Sequence, residues 1–376
     1  MKRLAVVLSV SVVAGGAVWA QTERATFERN TAPAPRSTAI DKGARWLASV
    51  QGADGGWGQD AGEASSERPG ERLESSGNDV ANTAVAALAL MQAGKQYEPQ
   101  VARALAFVLQ RIEASPADGL AITDRQGTQI QRKLGPCIDT FLASMLMSQM
   151  DGRASTPALN ARVRKALQKT VAKIEKHQQS DGSWNIAGGW APVLGTSLAS
   201  RSLFEAQSKG VAVNADVMKR AETYTVSALS APPPPAARVA GAVGGRVGTS
   251  PSAAPAEAAG VPLYQSAQAL EQLSRTSADR AKNAQQISTI QSRLADAAFV
   301  GGFGSMGGEE FFSYLNISDS MKRVGGDAWS KWHTGITQKI LSLQNSDGTW
   351  AGHHCITGRV AMTSAAILNL TVDRAR

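Results

Sequence analysis

Lys42-Gly43-Ala44-Arg45-Trp46-Leu47-Ala48-Ser49-Val50-Gln51-Gly52-Ala53-Asp54-Gly55-Gly56-Trp57 is the stretch on which the fold turns. Its closing phrase, Gln-x-x-Asp-Gly-x-Trp, returns at Gln178 to Trp184 and at Gln344 to Trp350, each time after a helical stretch. Three copies at one spacing make this a repeat protein. The glutamine, at the C-terminal end of an outer helix, is placed to bond free carbonyls of that helix. Asp-Gly supplies a tight turn, and the tryptophan packs flat on the next helix. Gln51, Trp57, Gln178, Trp184, Gln344 and Trp350 are therefore read as structural staples rather than as substrate contacts. The later copies keep an aliphatic residue four before the glutamine, Ile174 and Ile340, but carry Lys173 and Lys339 where the first has Trp46.

Working outward, the chain of 376 residues opens with Met1-Lys2-Arg3 and an apolar run from Leu4 to Val18 that ends at Trp19-Ala20. This pattern predicts a secretory signal peptide over residues 1–20, cleaved after Ala20. The run is too short and too rich in small residues for a membrane span, and no cysteine follows the cut to carry a lipid. The expected location is outside the cytoplasm, periplasmic or secreted, with no transmembrane segment after cleavage. Residues 21–37, with Pro33 and Pro35, read as a flexible leader, and 38–376 as the repeat domain. The formal charge of +8 falls to +6 once Lys2 and Arg3 are removed with the signal. Basic residues are interspersed with acids and form no dense run, which argues against a nucleic-acid partner.

Six pairs of helices follow from apolar periodicity and turn signals. They are 40–51 with 79–93, 99–114 with 138–150, 159–178 with 195–208, 215–229 with 263–274, 277–298 with 309–321, and 327–344 with 356–370. The fourth pair is interrupted by Pro232-Pro233-Pro234-Pro235 and an Ala, Gly, Val and Pro mixture. Such a composition buries too little apolar area to offset an ordering cost of about 1–2 kcal/mol per residue, so 231–261 is expected to be a disordered surface insertion. In the fifth pair, Phe303 stands where the motif has its tryptophan. Taken alone, this pattern supports an all-helical array, closed or open.

The phrase, with Lys42-Gly43 and Trp46-Leu47 ahead of it, resembles the QW motif of squalene and other terpenoid cyclases, shared more loosely by protein prenyltransferase β subunits. The resemblance implies an all-α α6/α6 toroid, a double ring of six helical hairpins. In such a ring the inner helices run parallel, so their N-termini gather at one rim with amides and positive dipole ends exposed. That rim would collect Asp79, Cys137, Gly195, Tyr264, Glu309, Glu310, His353, His354 and Cys355.

Cys137 and Cys355 are the two cysteines of the chain and hold matching places ahead of the second and sixth inner helices. Two readings stand side by side. In an exported protein they form a disulfide, although the first hairpin stands between theirs in a closed ring. Alternatively Cys137, His353, His354 and Cys355 supply a zinc site with an open position; a Cys, Cys, His set of this kind resembles the zinc site of lanthionine cyclases. Glu309 and Glu310 are explained by helix capping, worth about 0.3–1 kcal/mol each. In the other reading one of them acts with His354 as a general acid or base, while Phe311, Tyr314 and Tyr264 line a ligand site.

Several cyclase features are missing from the sequence. There is no Asp-x-Asp-Asp acid to start squalene-hopene chemistry, and Asp118, Asp124 and Asp139 stand apart from one another. Aromatic residues total 5%, too few to surround a travelling cation, and three of eight tryptophans belong to the staples. Cys-Gly-Glu-Gln, the thioester of complement-like traps, is also missing. These observations predict an exported protein that binds a small-molecule or peptide ligand at the central cavity or rim without conventional triterpene cyclisation. The competing expectation is a zinc-dependent enzyme using the Cys and His rim residues.

Overall fold

In the computed structural model, which describes residues 33–59, 77–186, 192–230, 253–302, 306–353 and 355–374, the outer helices carry one apolar stripe and the inner helices are buried on nearly every side. The outer set comprises α1 (Arg36–Ser49), α3 (Glu98–Ala114), α6 (Pro157–Lys176), α8 (Ala215–Ser230), the broken run α10 (Ser277–Lys282), α11 (Ala284–Leu294) and α12 (Ala297–Val300), and α14 (Gly326–Ser342). The inner set comprises α2 (Val80–Ala93), α5 (Ile138–Met150), α7 (Pro192–Ser208), α9 (Ala253–Leu273), α13 (Gly308–Val324) and α15 (Arg359–Leu370). A short α4 (Gln129–Leu134) precedes α5.

Composition explains the two tiers. On α6, Val163, Ala166, Leu167, Thr170, Val171 and Ile174 recur at helical spacing and are buried while the opposite face is charged. Along α2 every residue from Val80 to Leu90 is buried, and alanines let neighbouring helices approach closely. The contacts run in a circle: α2 packs on α5, α5 on α7, α7 on α9, α9 on α13, α13 on α15, and α15 back on α2. The all-α class expected from the sequence holds. Two-residue strands β1 (Trp57–Gly58) and β2 (Asn78–Asp79) pair antiparallel beside the first staple.

Each staple has one geometry in three copies. The tryptophan indole N–H, and not the glutamine, reaches the last turn of its own outer helix: Trp57 Nε1 donates to Leu47 O at 2.8 Å, Trp184 to Ile174 O at 2.7 Å and Trp350 to Ile340 O at 2.7 Å. The glutamine amide donates to a carbonyl in its own turn and to one near the start of the next outer helix. Gln51 reaches Gln100 O at 2.9 Å, Gln178 reaches Val217 O at 2.9 Å, and Gln344 reaches Ala39 O at 2.9 Å. This corrects the expected role of the glutamine, which ties hairpin to hairpin. Trp350 also lies against Gly43 of α1, where a Cβ would come within 2.9 Å of the indole. The third staple thereby joins the last hairpin to the first.

Three elements differ from the sequence expectation. Helix α1 starts at Arg36, inside the supposed leader. Helix α9 starts at Ala253, inside the expected insertion, because Ala253, Ala254, Ala256, Ala258 and Ala259 are strong helix formers. Helix α4 went unforeseen, although Thr128 and Gln131 form a capping box that its sequence carries. The signal segment 1–20, residues 231–252, Phe303 and His354 lie outside the described residues.

Candidate functional site

Five expected rim residues fall on neighbouring segments. Glu309 and Glu310 occupy the first turn of α13, Tyr264 lies on α9, and His353 and Cys355 lie in the loop before α15. Hydrogen bonds lace that loop to the first turn of α13 and the residues just before it. Gly308 N donates to Ile356 O at 2.9 Å, Ile356 N donates to Glu309 Oε2 at 3.3 Å, and His353 N donates to Met306 O at 2.6 Å. Cys355 sits at φ 57°, a left-handed conformation uncommon for a residue with a Cβ.

Glu310 caps its helix, accepting from Gly307 N at 2.9 Å through Oε2, while Tyr264 Oη donates to Oε1 at 2.6 Å. Capping, the plainer of the two sequence readings, therefore describes Glu310. Glu309 is fully buried, and its Oε1 has no hydrogen-bond partner among the described residues. Burial, reinforced by the charge of Glu310, pushes the Glu309 carboxyl up to about 8. Burial and the Glu309 carboxylate raise the Cys355 thiol as well, so it is held as a neutral thiol.

Helix α4 roofs this cluster. Gln129 Nε2 donates to Thr357 Oγ1 at 3.3 Å and Gln129 Oε1 accepts from Thr357 N at 3.1 Å, clasping the second hairpin to the loop of the sixth. Gln131 Nε2 donates to Asp139 Oδ2 at 2.6 Å. At the other end of α4, Leu134 O lies 2.3 Å from where a Cβ on Gly195 would stand. Lys133, buried beneath this roof, lowers the cost of charge on Glu309 and Cys355. Sequence reasoning passed over Lys133 because nothing in a single lysine on a short helix marks it.

The remaining candidates separate from this cluster. Phe311 and Tyr314 are buried in the wall, tilted on each other at 6.1 Å, and Tyr314 Oη donates to Val300 O at 2.6 Å. They are core residues in this structure. Cys137 sits near Asp139 and Lys173, and its thiol is raised to about 11, by burial first and by Asp139 second. Both cysteines are free thiols, so the expected disulfide is not formed. Among the described residues no three metal-type side chains converge. The expected zinc set thus lacks a shared centre there, and its fourth member, His354, lies outside them.

A second acidic pair stands at the N-termini of α2 and α5. Asp79 caps α2 through Asn82 N at 2.8 Å, and Asp139 Oδ1 accepts from Ala81 N at 3.0 Å. Burial first, and the neighbouring Asp79 charge second, lift the Asp139 carboxyl to about 7. Toward the other end of the inner helices an ionic lattice joins α7, the end of α9 and α13. Arg201 of α7 donates to Glu205 Oε1 at 2.8 Å, to Asn316 Oδ1 at 2.8 Å and to Asp319 of α13. Arg275 forks onto Glu271 at 3.1 and 2.7 Å. Burial disfavours the Arg201 charge, yet Asp319 and Glu205 outweigh it and keep the guanidinium charged.

Residues 25–120 match the family model of the squalene-hopene cyclase C-terminal domain. A squalene-hopene cyclase of Bradyrhizobium diazoefficiens is 43% identical over 70 residues, covering 19% of this chain and 10% of that enzyme. The chain therefore aligns with about a tenth of the curated relative it matches. Structures of the type II terpene cyclase MstE from Scytonema, one apo and one of a variant with geranylgeranyl dihydroxybenzoate, align over 90% of this chain and 98% and 96% of theirs. Their identity to it is 12% and the TM-score 0.35. The family-model match, which spans the first staple, and the partial match to a squalene-hopene cyclase make the chain terpenoid cyclase-like.

Proposed function

Taking the chain as terpenoid cyclase-like, we propose that it is an exported binding protein, which uses the inner-helix rim to hold a ligand and does not cyclise polyprenoids. The observation that carries this reading is the lattice from Arg201 to Asn316 and Asp319, which links α7 to α13, the two inner helices on either side of α9. A cyclase needs its interior as a dry chamber faced with aromatic rings. Here Arg201, Asn316 and Asp319 place charged and amide groups between two of the inner helices, and Phe311 and Tyr314 are spent on wall packing.

The rim supplies what a binder requires. Glu309 offers an oxygen that no described residue bonds, beside Lys133 and Cys355, under a short helix fastened by a handful of hydrogen bonds. An N–H-bearing or cationic ligand group would pair with Glu309 once α4 lifts. Export rests on the amino-terminal signal pattern.

The test is to purify the exported protein and profile the small molecules that accompany it, alongside an assay with squalene. A co-purifying compound lost in Glu309→Gln, no cyclised product, and two titratable thiols with no stoichiometric zinc are expected. A cyclised hydrocarbon, or one zinc per chain removed by Cys355→Ser, would overturn the reading in favour of an enzyme.

A further inference from the structure

A concavity on the outer wall lies apart from the rim. It is a cleft of about 700 Å³ between α11 and α14, within the range of small-molecule sites. Leu294, Val300, Met321, Trp332 and Ile336 give it an apolar lining, to which Ser288, Gln291 and Ser292 of α11 add polar groups. Trp332 donates its indole N–H to Ser318 Oγ at 2.9 Å, so the ring presents only apolar edge and face to the cleft. The middle of the cleft owes its depth to Gly335, where an added Cβ would meet nothing within 4 Å.

Charge gives the cleft a direction. Two lysines of α14, Lys331 and Lys339, line it, and among the described residues no acidic side chain does. Lys339 is engaged, its Nζ donating to Val300 O at 3.4 Å and lying 5.2 Å from the Tyr314 ring centroid. Its methylene stem therefore serves as wall. Lys331, two turns earlier and exposed, stands at the open end, about 12 Å away along the helix axis.

We propose that this cleft binds a free single-chain anionic amphiphile, its carboxylate-type head at Lys331 and its alkyl body along Trp332, Gly335 and Ile336. The apolar floor supplies the affinity, and the lysines without a lining acid select the sign of the head group. This inference is independent of the rim reading, since none of the lining residues belongs to the rim cluster.

Isothermal titration of the purified protein with dodecanoate, held below its micelle concentration, tests it. One saturable equivalent is expected, with dodecyltrimethylammonium and 1-dodecanol at least tenfold weaker. Lys331→Glu should weaken dodecanoate at least tenfold. Gly335→Leu should abolish binding while the melting temperature stays level or rises, because that position is an open, exposed helix site. Equal binding of the ammonium probe, uptake only above the micelle concentration or only onto phosphatidylglycerol vesicles, or binding that survives Gly335→Leu would each overturn the proposal.

Discussion

The joint between the sixth hairpin and the first is fastened, whereas the joint between the fifth and sixth gapes. At the first of these Gln344 bonds Ala39 O, Trp350 bonds Ile340 O and lies on Gly43, and Gly348 approaches Lys42 so closely that a Cβ would come within 2.7 Å. At the second no copy of the motif precedes α13, the outer helix is broken into α10, α11 and α12, and a cleft of about 700 Å³ separates α11 from α14. Of these two joints, the one that a seven-residue phrase spans is closed and the one without it is open. The staple acts between hairpins, which a reading of one hairpin alone does not reveal.

The sharpest way to break this comparison is Trp350→Ala. Losing a fully buried indole at the closing joint is expected to cost about 3–5 kcal/mol in denaturant unfolding. If the loss matched that of an exposed tryptophan, the joint would not be held by the staple.

A pH series separates the rim from the joints, since indoles and amides do not titrate. Asp139 at about 7 and Glu309 at about 8 have folded values above their unfolded ones, so the folded chain retains protons the unfolded chain has released. Their contribution is complete at about pH 4 and below. It declines as pH rises, toward 7 for Asp139 and toward 8 for Glu309, by at most about 1.4 kcal/mol per unit for each. Asp139→Asn and Glu309→Gln should flatten this slope in thermal melts recorded across that range. A slope unchanged by both substitutions would remove the rim from the account.

Smaller effects refine the contrast. Gly348→Ala places a Cβ at φ 89° against α1 and should cost about 2 kcal/mol. Its counterpart at the open joint, Gly335→Ala, should instead stabilise by about 0.5–1 kcal/mol through helix propensity. Thr363→Val keeps shape but removes the hydroxyl that accepts from Trp350 N at 3.0 Å, for a loss of about 1–2 kcal/mol. Should the two glycine substitutions shift stability in the same direction, the distinction between the joints would fail.

The sequence made the tryptophans, the glutamines and the six hairpins legible because their signals recur at fixed spacing. Thr83, Thr196 and Thr363, whose hydroxyls accept from the main chain of the three motif tryptophans at 2.9, 3.2 and 3.0 Å, escaped notice. They follow their tryptophans at 26, 12 and 13 residues, so the loops between erase any period. The acceptors of the motif glutamines are backbone carbonyls, which carry no residue signature. At the rim, parallel inner helices predicted the meeting of Tyr264, Glu309, Glu310 and Cys355. What the sequence could not convey was enclosure: α4, six residues long, is below the length at which periodicity speaks, and it buries the cluster. Cys137 occupied a matching place in its hairpin, yet equivalent register in two hairpins does not bring two side chains together across a ring.

Arg36 at the start of α1 pairs with Asp373 just beyond α15 at 2.8 Å, beside the third staple. The beginning and the end of the folded unit are therefore neighbours, and the order of hairpins along the polypeptide is a convention of synthesis rather than a requirement of the ring. A circular permutant that joins these neighbours through a short linker and opens the chain between α8 and α9 would keep every staple intact, with the seam moved to another sector of the wheel.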